Sequence, residues 1–514
     1  MKDLQGNKGE TTKEDLKRLQ DEIAELEEER RTHEGFDTED YNRIVENPIL
    51  SPKTNPLSTF SIDVDVASYA NMRRFLTNNR LPYPDAIRIE EMINYFDYDY
   101  RQPKGEHPFA IHSEVSECPW QDEHYLVHIG IQGEDIPRDY LPPSNLVFLL
   151  DVSGSMNSSN KLPLLKSAFS MLVNQLEERD RVAIVVYAGA AGLVLPSTSA
   201  SNQHLIIKKL NQLSAGGSTA GGAGINLAYK IAQENFITGG NNRVILATDG
   251  DFNVGASSDS ELVRMIEEKR ENGVFLSVLG FGSGNLKDNK MEQLADKGNG
   301  NYAYIDNILE AKKVLVNEMG GTLFTIAKDV KIQVEFNPSM VKGYRLIGYE
   351  NRIMAAEDFN DDTKDAGELG SGHAVTALYE VVPFGASTEI RDAGDLKYQM
   401  TVPVDGSQAE VMNMKFRYKR PDGDVSTLIE QPIGTEILSL DRTSDNFLFS
   451  AAVAEFGLLL RDSQYKGAAS YDHVMELAKL AKGTDPNGYR AEFIQLVERA
   501  SLLDQKNLST KHQE

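Results

Sequence analysis

The chain has 514 residues, enough for about three domains, and a formal net charge of −25 from 53 Lys and Arg against 78 Asp and Glu. So acidic a chain is not expected to bind nucleic acid, because few of its groups would neutralise phosphates. Hydrophobic residues make up 40% of the chain, which excludes wholesale disorder. A single cysteine, Cys118, excludes an intrachain disulfide and a cysteine-based metal cluster.

Residues 1–54 are expected to form a helical spacer and linker. No apolar stretch of the kind found in signal peptides follows Met1, and no apolar run approaches the roughly 20 residues of a membrane span. Residues 12–31 have the pattern of a helix, with four apolar residues at coiled-coil spacing, namely Leu16, Leu19, Ile23 and Leu26. Two heptads are too few for stable pairing alone, so a solvated spacer helix is favoured over a dimerising coiled coil.

Residues 55–144 are expected to form an N-terminal extension of helices and strands. Apolar residues at helix spacing predict helices over 67–79 and 88–96. Alternating apolar and polar residues predict strands over 109–115 and 125–131.

Residues 145–320, called the α/β domain below, alternate between strands and helices. Short continuous apolar runs predict parallel strands that are buried on both faces, at 146–150, 182–187, 244–248 and 274–279. The segments between them have apolar residues at helix spacing. This alternation predicts a Rossmann-like, doubly wound sheet with helices on both faces.

Residues 321–430 are expected to be β, and residues 431–514 are expected to be helical. Strands are predicted at 330–336, 344–349, 374–382, 398–402 and 411–418. Helices are predicted at 447–461, 471–481 and 491–503. Five strands after the α/β domain and two before it make one β-sandwich of about seven strands. We therefore expect the α/β domain to be inserted into a single β-sandwich, with flanking helical segments packed around it.

The insertion has a consequence for the connections of the α/β domain. The chain would enter at the amino end of its first strand and leave after a last helix over 308–319. Both connections would lie at the edge opposite the carboxyl ends of the strands. The last helix could then transmit a shift from that carboxyl edge to the sandwich.

Three loops at the carboxyl edge of the predicted sheet carry oxygen ligands. Asp151, Ser153 and Ser155 follow the first parallel strand at a spacing of two, so their side chains can converge. A glycine-rich loop contributes Thr219, and the third parallel strand ends in Asp249. The five side chains form an all-oxygen shell that suits Mg²⁺, and the metal would accept one more anionic oxygen.

The Asp-x-Ser-x-Ser motif, the downstream threonine and the Thr-Asp-Gly motif at 248–250 together resemble a von Willebrand factor A-type domain with an intact metal-ion-dependent adhesion site. The resemblance implies a central parallel sheet with one antiparallel edge strand. It implies Mg²⁺, with Mn²⁺ or Ca²⁺ as alternatives, held by these side chains. It also implies a partner protein whose Asp or Glu completes the coordination, and thus adhesion-like binding and not catalysis.

The rest of the chain resembles a bacterial subfamily of A-type proteins with an N-terminal extension and a C-terminal domain of unknown function. The matching stretches are at 55–65, 88–96, 118–120, 377–381 and 452–456. Many members of this subfamily are predicted lipoproteins. The resemblance therefore implies an extracytoplasmic, membrane-tethered protein whose signal has been removed here, whereas a native start at Met1 would make the protein cytoplasmic.

Enzymatic interpretations fit the sequence less well. Asp63 and Asp65 resemble the nucleophile strand of a haloacid-dehalogenase-type, metal-dependent phosphatase, but the strands that follow lack the parallel context. Residues 216–220 miss the nucleophile elbow of a serine hydrolase by one residue. A structural scaffold with an idle metal stays open as a third alternative.

Two further features have simple interpretations. Residues 358–362 suggest a Ca²⁺ loop, but Thr363 and Leu369 stand where an EF-hand needs glycine and glutamate. An acidic, solvated loop is therefore favoured. Cys118 is expected to be a packed, inert thiol, because catalytic partners are missing from its neighbourhood in the sequence.

Overall fold

The computed structural model describes residues 39, 41–217, 221–250, 252, 259–283, 286–318, 321, 324–390 and 410–511. Three features predicted from the sequence lie outside the described residues: the spacer helix over 12–31, the strand over 398–402 and Thr219.

The described strands are, in chain order, β1 (Leu57–Ser61), β2 (Phe109–Cys118), β3 (Gln121–Gly133), β4 (Ser144–Asp151), β5 (Arg181–Tyr187), β6 (Ala191–Ser199), β7 (Asn241–Thr248), β8 (Val274–Phe281), β9 (Tyr302–Ile305), β10 (Thr325–Phe336), β11 (Val341–Ile347), β12 (Gly367–Gly370), β13 (Ala374–Pro383), β14 (Glu410–Lys419) and β15 (Thr427–Gly434).

The described α-helices are α1 (Ala67–Thr77), α2 (Ile89–Asn94), α3 (Leu162–Val173), α4 (Gln203–Asn211), α5 (Gly221–Glu234), α6 (Asp259–Glu271), α7 (Asp288–Lys297), α8 (Ile308–Lys312), α9 (Asp445–Leu460), α10 (Tyr471–Leu480) and α11 (Tyr489–Lys511).

The α/β domain contains a six-stranded sheet in the order β6-β5-β4-β7-β8-β9. The edge strand β6 is antiparallel to β5, and the other neighbours are parallel. Every residue of β4 is buried, because helices cover both faces of the sheet. The predicted doubly wound fold and its antiparallel edge strand are therefore confirmed.

Two antiparallel sheets pack face to face beside this domain. One has the order β1-β10-β14-β15, with β12 also paired to β10, and the other has the order β11-β13-β3-β2. Phe60 of β1 pairs with Ile332 of β10, and Ile129 of β3 pairs with Ala377 of β13. Apolar side chains from both sheets share one buried cluster. Strands from before and after the α/β domain thus form one sandwich, which confirms the predicted insertion.

The sandwich differs from the prediction in its number of strands. It contains nine strands within the described residues. Six of them were predicted, and the seventh predicted strand, over 398–402, lies outside the described residues. The three strands missed were β1, β12 and β15. The strands β1 and β12 have only five and four residues, and β15 is a largely exposed edge strand that contains Pro432. Such segments lack the buried alternation that marks a strand in a sequence.

The end of the α/β domain also differs from the prediction of one helix over 308–319. The α-helix ends at Lys312, and a π-helical turn follows over Lys313–Asn317. Residues of the incoming connection (137, 138 and 141) and of the outgoing one (314–318) line the same cavity of about 620 Å³. The described parts of the two connections therefore lie close together, and their place at the edge opposite the predicted metal ligands stays a prediction.

The C-terminal helices pack against the N-terminal extension. Side chains of α2, α9, α10 and α11 share a buried core with Trp120, which is fully excluded from solvent. None of the helices in the described part of the chain is both long enough and apolar enough to cross a bilayer.

Candidate metal centre

Asp151 is the last residue of β4, and its side chain is completely buried. Its Oδ1 accepts a hydrogen bond from the backbone N–H of Ser153 at 2.8 Å, which turns the chain immediately after the strand. The hydroxyl oxygens of Ser153 and Ser155 are 3.0 Å apart. The turn thus brings the three oxygen-bearing side chains of the first motif together.

Backbone hydrogen bonds join the first motif to the glycine-rich loop. The N–H of Gly154 donates to the carbonyl of Gly217 at 3.0 Å, and the N–H of Gly216 donates to the carbonyl of Val152 at 2.8 Å. Gly217 has a φ of 89°, a conformation that favours glycine. The described part of this loop ends there, two residues before Thr219, so the place of the Thr219 hydroxyl stays a prediction.

Asp249 follows β7 and is completely buried. The Oγ1 of Thr248 lies 3.4 Å from Oδ2 of Asp151, so the end of β7 lies next to the end of β4. Four of the five predicted ligands are described, and these four meet at the carboxyl edge of two neighbouring parallel strands. The position of the motifs relative to their strands is sufficient to predict this meeting.

Lys161 is a further member of the site, and it was not predicted from the sequence. Its Nζ donates to Oδ2 of Asp249 at 2.8 Å, and the two side chains are 9% and 0% exposed. Nothing in the sequence distinguishes this lysine from a surface lysine at the start of a helix. Tyr187 is a second buried neighbour of the site, and burial together with the charge of Asp151 raises the pKa of its hydroxyl.

The electrostatics of the site favour a bound cation. Burial raises the pKa of Asp151 to about 6, the hydrogen bonds from Ser153 lower this pKa, and the charge of Asp249 raises it. The two buried carboxylates face the single charge of Lys161, which leaves one negative charge among these three groups. Hard carboxylate and hydroxyl oxygens are ligands that Mg²⁺ prefers, so the residues present fit a divalent cation.

The aspartates of the phosphatase alternative lie in a different environment. The strand β1, which precedes them, is antiparallel to β10 and belongs to the sandwich. Asp63 lies 3.1 Å from Arg352, and Oδ1 of Asp65 accepts from the backbone N–H of Tyr302 at 2.7 Å. Both carboxylates therefore join parts of the fold and do not form a nucleophile site on a parallel sheet.

A cluster of acidic side chains surrounds these aspartates. Carboxylate oxygens of Asp65, Glu91 and Glu292 lie within 4.8 Å of one another. Arg88 pairs with Glu91 and Glu292, and Arg352 pairs with Asp65 and Glu292. The arginines are therefore the counter-ions of these carboxylates. The ion pairs connect the N-terminal extension, the α/β domain and the sandwich.

The two remaining sequence features behave as simple structural elements. The acidic loop at 358–362 is closed by Lys331, whose Nζ donates to the carbonyls of Asp358 and Asp361 at 3.1 and 2.6 Å. Cys118 is buried, and burial raises the pKa of its thiol. The loop is thus held by a lysine, and the thiolate form of Cys118 is disfavoured by burial.

Comparison with protein-family models gives three matches along the chain. Residues 35–128 match the family described as von Willebrand factor, and residues 145–316 match the von Willebrand factor type A domain. Residues 321–503 match the family described as uncharacterized protein YfbK, C-terminal.

Individual proteins resemble the chain over different lengths. The uncharacterized protein YfbK of Escherichia coli (strain K12) is 45% identical over 470 residues, which cover 90% of this chain and 80% of that protein. Inter-alpha-trypsin inhibitor heavy chain H4 of Homo sapiens is 31% identical over 152 residues, which cover 27% of this chain and 16% of that protein. A solved structure, von Willebrand factor type A from Catenulispora acidiphila, is 17% identical, with a TM-score of 0.41, and covers 76% of this chain and 89% of that chain.

Proposed function

Because the chain belongs to the YfbK family of proteins with a von Willebrand factor type A domain, we propose that it binds another protein through a divalent metal. The metal would be held by Asp151, Ser153, Ser155, Thr219 and Asp249 at the carboxyl edge of the sheet. Mg²⁺ is the expected ion, with Mn²⁺ and Ca²⁺ as alternatives. When bound, the metal supplies an open position for a carboxylate oxygen of the partner.

The pairing of two fully buried carboxylates with one lysine carries this proposal. Asp151 and Asp249 are both at 0% exposure, and burying a carboxylate without compensation costs several kcal/mol. Lys161 offsets one of the two charges. A divalent cation at the four described ligands would offset the other and would leave a net positive charge.

The surface around the site supports a protein partner. Residues 157–160 are Asn, Ser, Ser and Asn, and all four are exposed. Residues 188–192 are only alanine and glycine. These small, uncharged residues leave room for a carboxylate to reach the metal and add no repulsion of their own. Since the whole chain carries a charge of −25, the partner surface around that carboxylate is expected to be basic or neutral.

A pull-down with and without EDTA tests the proposal. The wild-type chain with Mg²⁺ is expected to retain partners that are lost in EDTA and lost with the Asp151→Ala variant. The same partners retained in all three samples would contradict metal-dependent binding. A chain that binds the metal by calorimetry but retains no partner in a metal-dependent way would support the alternative of a structural scaffold with an idle metal.

The proposed function does not include catalysis, and the proposed compartment is outside the cytoplasmic membrane. The resemblance to a subfamily of predicted lipoproteins supports this compartment. Fractionation of cells that express the full-length gene tests it: the protein is expected in the membrane fraction and accessible to protease added outside the cytoplasmic membrane. A protein found only in the cytoplasmic fraction would support the cytoplasmic alternative.

A further inference from the structure

The side chain of Lys161 lies beside the predicted metal ligands at the carboxyl edge of the sheet and does not extend into solvent. It directly precedes α3, and its Nζ donates to Oδ2 of Asp249 at 2.8 Å. The side chain is 9% exposed, although lysine is almost never buried unless its charge is paired. Asp249 is therefore both a predicted metal ligand and the counter-ion of a buried ammonium group.

The backbone at Gly282 leaves room for the side chain of this lysine. Gly282 follows β8 with a φ of 81°. A Cβ at this position would lie 2.9 Å or less from three carbons of the Lys161 stem. The hydroxyl of Tyr304 donates to the carbonyl of Gly282 and holds that backbone in place. The aliphatic stem of Lys161 thus packs against a glycine, while its ammonium group reaches Asp249.

We propose that Lys161 is a positioning residue that sets the charge of the metal site and so directs the bound metal toward an anionic ligand. This inference rests on the proposed metal-dependent function. Asp151, Asp249 and Lys161 together carry one negative charge, and a divalent cation changes this sum to one positive charge. Without the lysine the same metal would meet two full negative charges, and the loaded site would be neutral.

The proposal predicts two opposite effects of Lys161→Met, which keeps an apolar stem and removes the charge. Mg²⁺ is expected to bind about tenfold tighter, because the competing ammonium group has gone. A carboxylate is expected to bind the metal-loaded site about tenfold weaker, because the loaded site has lost its positive charge. A purely structural role for the lysine would not produce a gain in one affinity and a loss in the other.

The first measurement uses Mg²⁺ alone, titrated by calorimetry into the full chain. The second uses acetate as the carboxylate probe, with its binding to the Mn²⁺-loaded chain followed by the paramagnetic relaxation of its methyl protons. Lys161→Arg keeps the charge and is expected to retain wild-type behaviour in both measurements. Lys230→Met is the matched control, because it removes the same charge from an exposed lysine that lies nine residues into α5.

The outcomes separate this inference from the proposed function. Wild-type protein that binds no Mg²⁺ overturns both. Wild-type protein that binds Mg²⁺, with a Lys161→Met variant of unchanged or weaker Mg²⁺ affinity, overturns the inference alone. Where Lys161→Met fails to fold, Gly282→Ala gives the second test, since its Cβ displaces the lysine stem and is expected to tighten Mg²⁺ binding in the same way; unchanged or weaker binding overturns the inference.

Discussion

The guanidinium of Arg73 lies 2.7 Å from the carboxylate of Glu310, and the two side chains are 5% and 1% exposed. Arg73 lies on α1 of the N-terminal extension, and Glu310 lies on α8, the last α-helix of the α/β domain within the described residues. The same guanidinium pairs with Asp306 at 2.5 Å and with Glu492 of α11 at 3.0 Å. One arginine therefore joins the extension, the end of the α/β domain and the C-terminal helices.

Replacing Arg73 with leucine is expected to lower the free energy of unfolding by about 3–5 kcal/mol, because buried carboxylates would lose their counter-ion. Urea denaturation of the full chain measures this change. Arg179→Leu is the control, since the Arg179–Glu177 pair is more than one-third exposed and is expected to contribute less than about 1 kcal/mol. Equal losses of the free energy of unfolding in the two variants would contradict the role of Arg73 in joining these three parts of the fold.

The same variant tests whether α8 is coupled to the predicted metal ligands at the carboxyl edge of the sheet. This coupling stays a prediction. If a shift of α8 is transmitted to the carboxyl edge, freeing the helix in Arg73→Leu is expected to change the Kd for Mg²⁺ by at least about threefold. Calorimetry at a temperature where the variant remains folded checks this. A Kd for Mg²⁺ equal to that of the wild type would contradict the coupling.

Asp151→Asn is expected to weaken Mg²⁺ binding by about 100-fold or more, because the metal loses a charged ligand. In EDTA the variant is expected to be at least as stable as the wild type, since burial already raises the pKa of Asp151 and disfavours its charge. Calorimetry and thermal unfolding measure the two effects.

Asp139→Asn, at an exposed position, is the control for Asp151→Asn and is expected to change neither quantity. At 100 times the Kd, Mg²⁺ is expected to stabilise the wild type and this control by about 2.7 kcal/mol. An Asp151→Asn variant that gains the same stabilisation would refute the proposed ligand.

The Arg352→Met substitution is expected to be strongly destabilising, and the loss of the free energy of unfolding is expected to depend on pH. Arg352 lies within 3.3 Å of carboxylate oxygens of Asp63, Asp65, Glu292 and Asp296. At pH 8 the expected loss is about 3–5 kcal/mol, because these carboxylates then repel one another without the arginine.

The loss from Arg352→Met is expected to be smaller at pH 6. Burial raises the pKa of Asp63 to about 7, so its folded form takes up a proton as the pH falls and the repulsion weakens. Urea denaturation at the two pH values measures this difference. Lys415→Met, in a partly exposed pair with Glu335, is the control, and an Arg352→Met loss that is equal at both pH values would count against this argument.

His128 is expected to make the protein sensitive to acid. Burial lowers the pKa of His128 to about 3, and its ring nitrogens contact the hydroxyls of Tyr100 and Ser450 at 2.6 and 2.9 Å. In the folded state the side chain of His128 therefore stays neutral. In the unfolded state the same side chain takes up a proton below a pH of about 6.5. The stability contributed by neutral His128 is present above that pH and is lost as the pH falls toward about 3.

Between pH 7 and pH 5 the wild type is expected to lose about 2 kcal/mol more of its free energy of unfolding than His128→Gln does. Urea denaturation at several pH values measures the two slopes, and His204→Gln, which changes an exposed histidine, serves as the control. A His128→Gln variant with the same pH dependence as the wild type would show that the acid sensitivity comes from other groups.

Local patterns in the sequence were sufficient to predict the class of the fold. The continuous apolar runs of β4, β5, β7 and β8 indicated buried parallel strands, and the structure places these strands side by side. The motif residues Asp151, Ser153, Ser155 and Asp249 were predicted to meet because each directly follows a strand or forms the turn after it. Periodicity and position relative to a strand are local properties, so a sequence displays them directly.

The tertiary structure alone decided which distant segments pair and which charges meet. The short strand β1 becomes visible only through its pairing with β10, about 270 residues later, and Lys161 joins the site only because Gly282 leaves space for its stem. The same holds for Arg73, whose carboxylate partners lie more than 200 residues away. Such contacts depend on the packing of whole domains against each other, and an isolated arginine or lysine in a sequence carries no sign of the carboxylate it will be buried against.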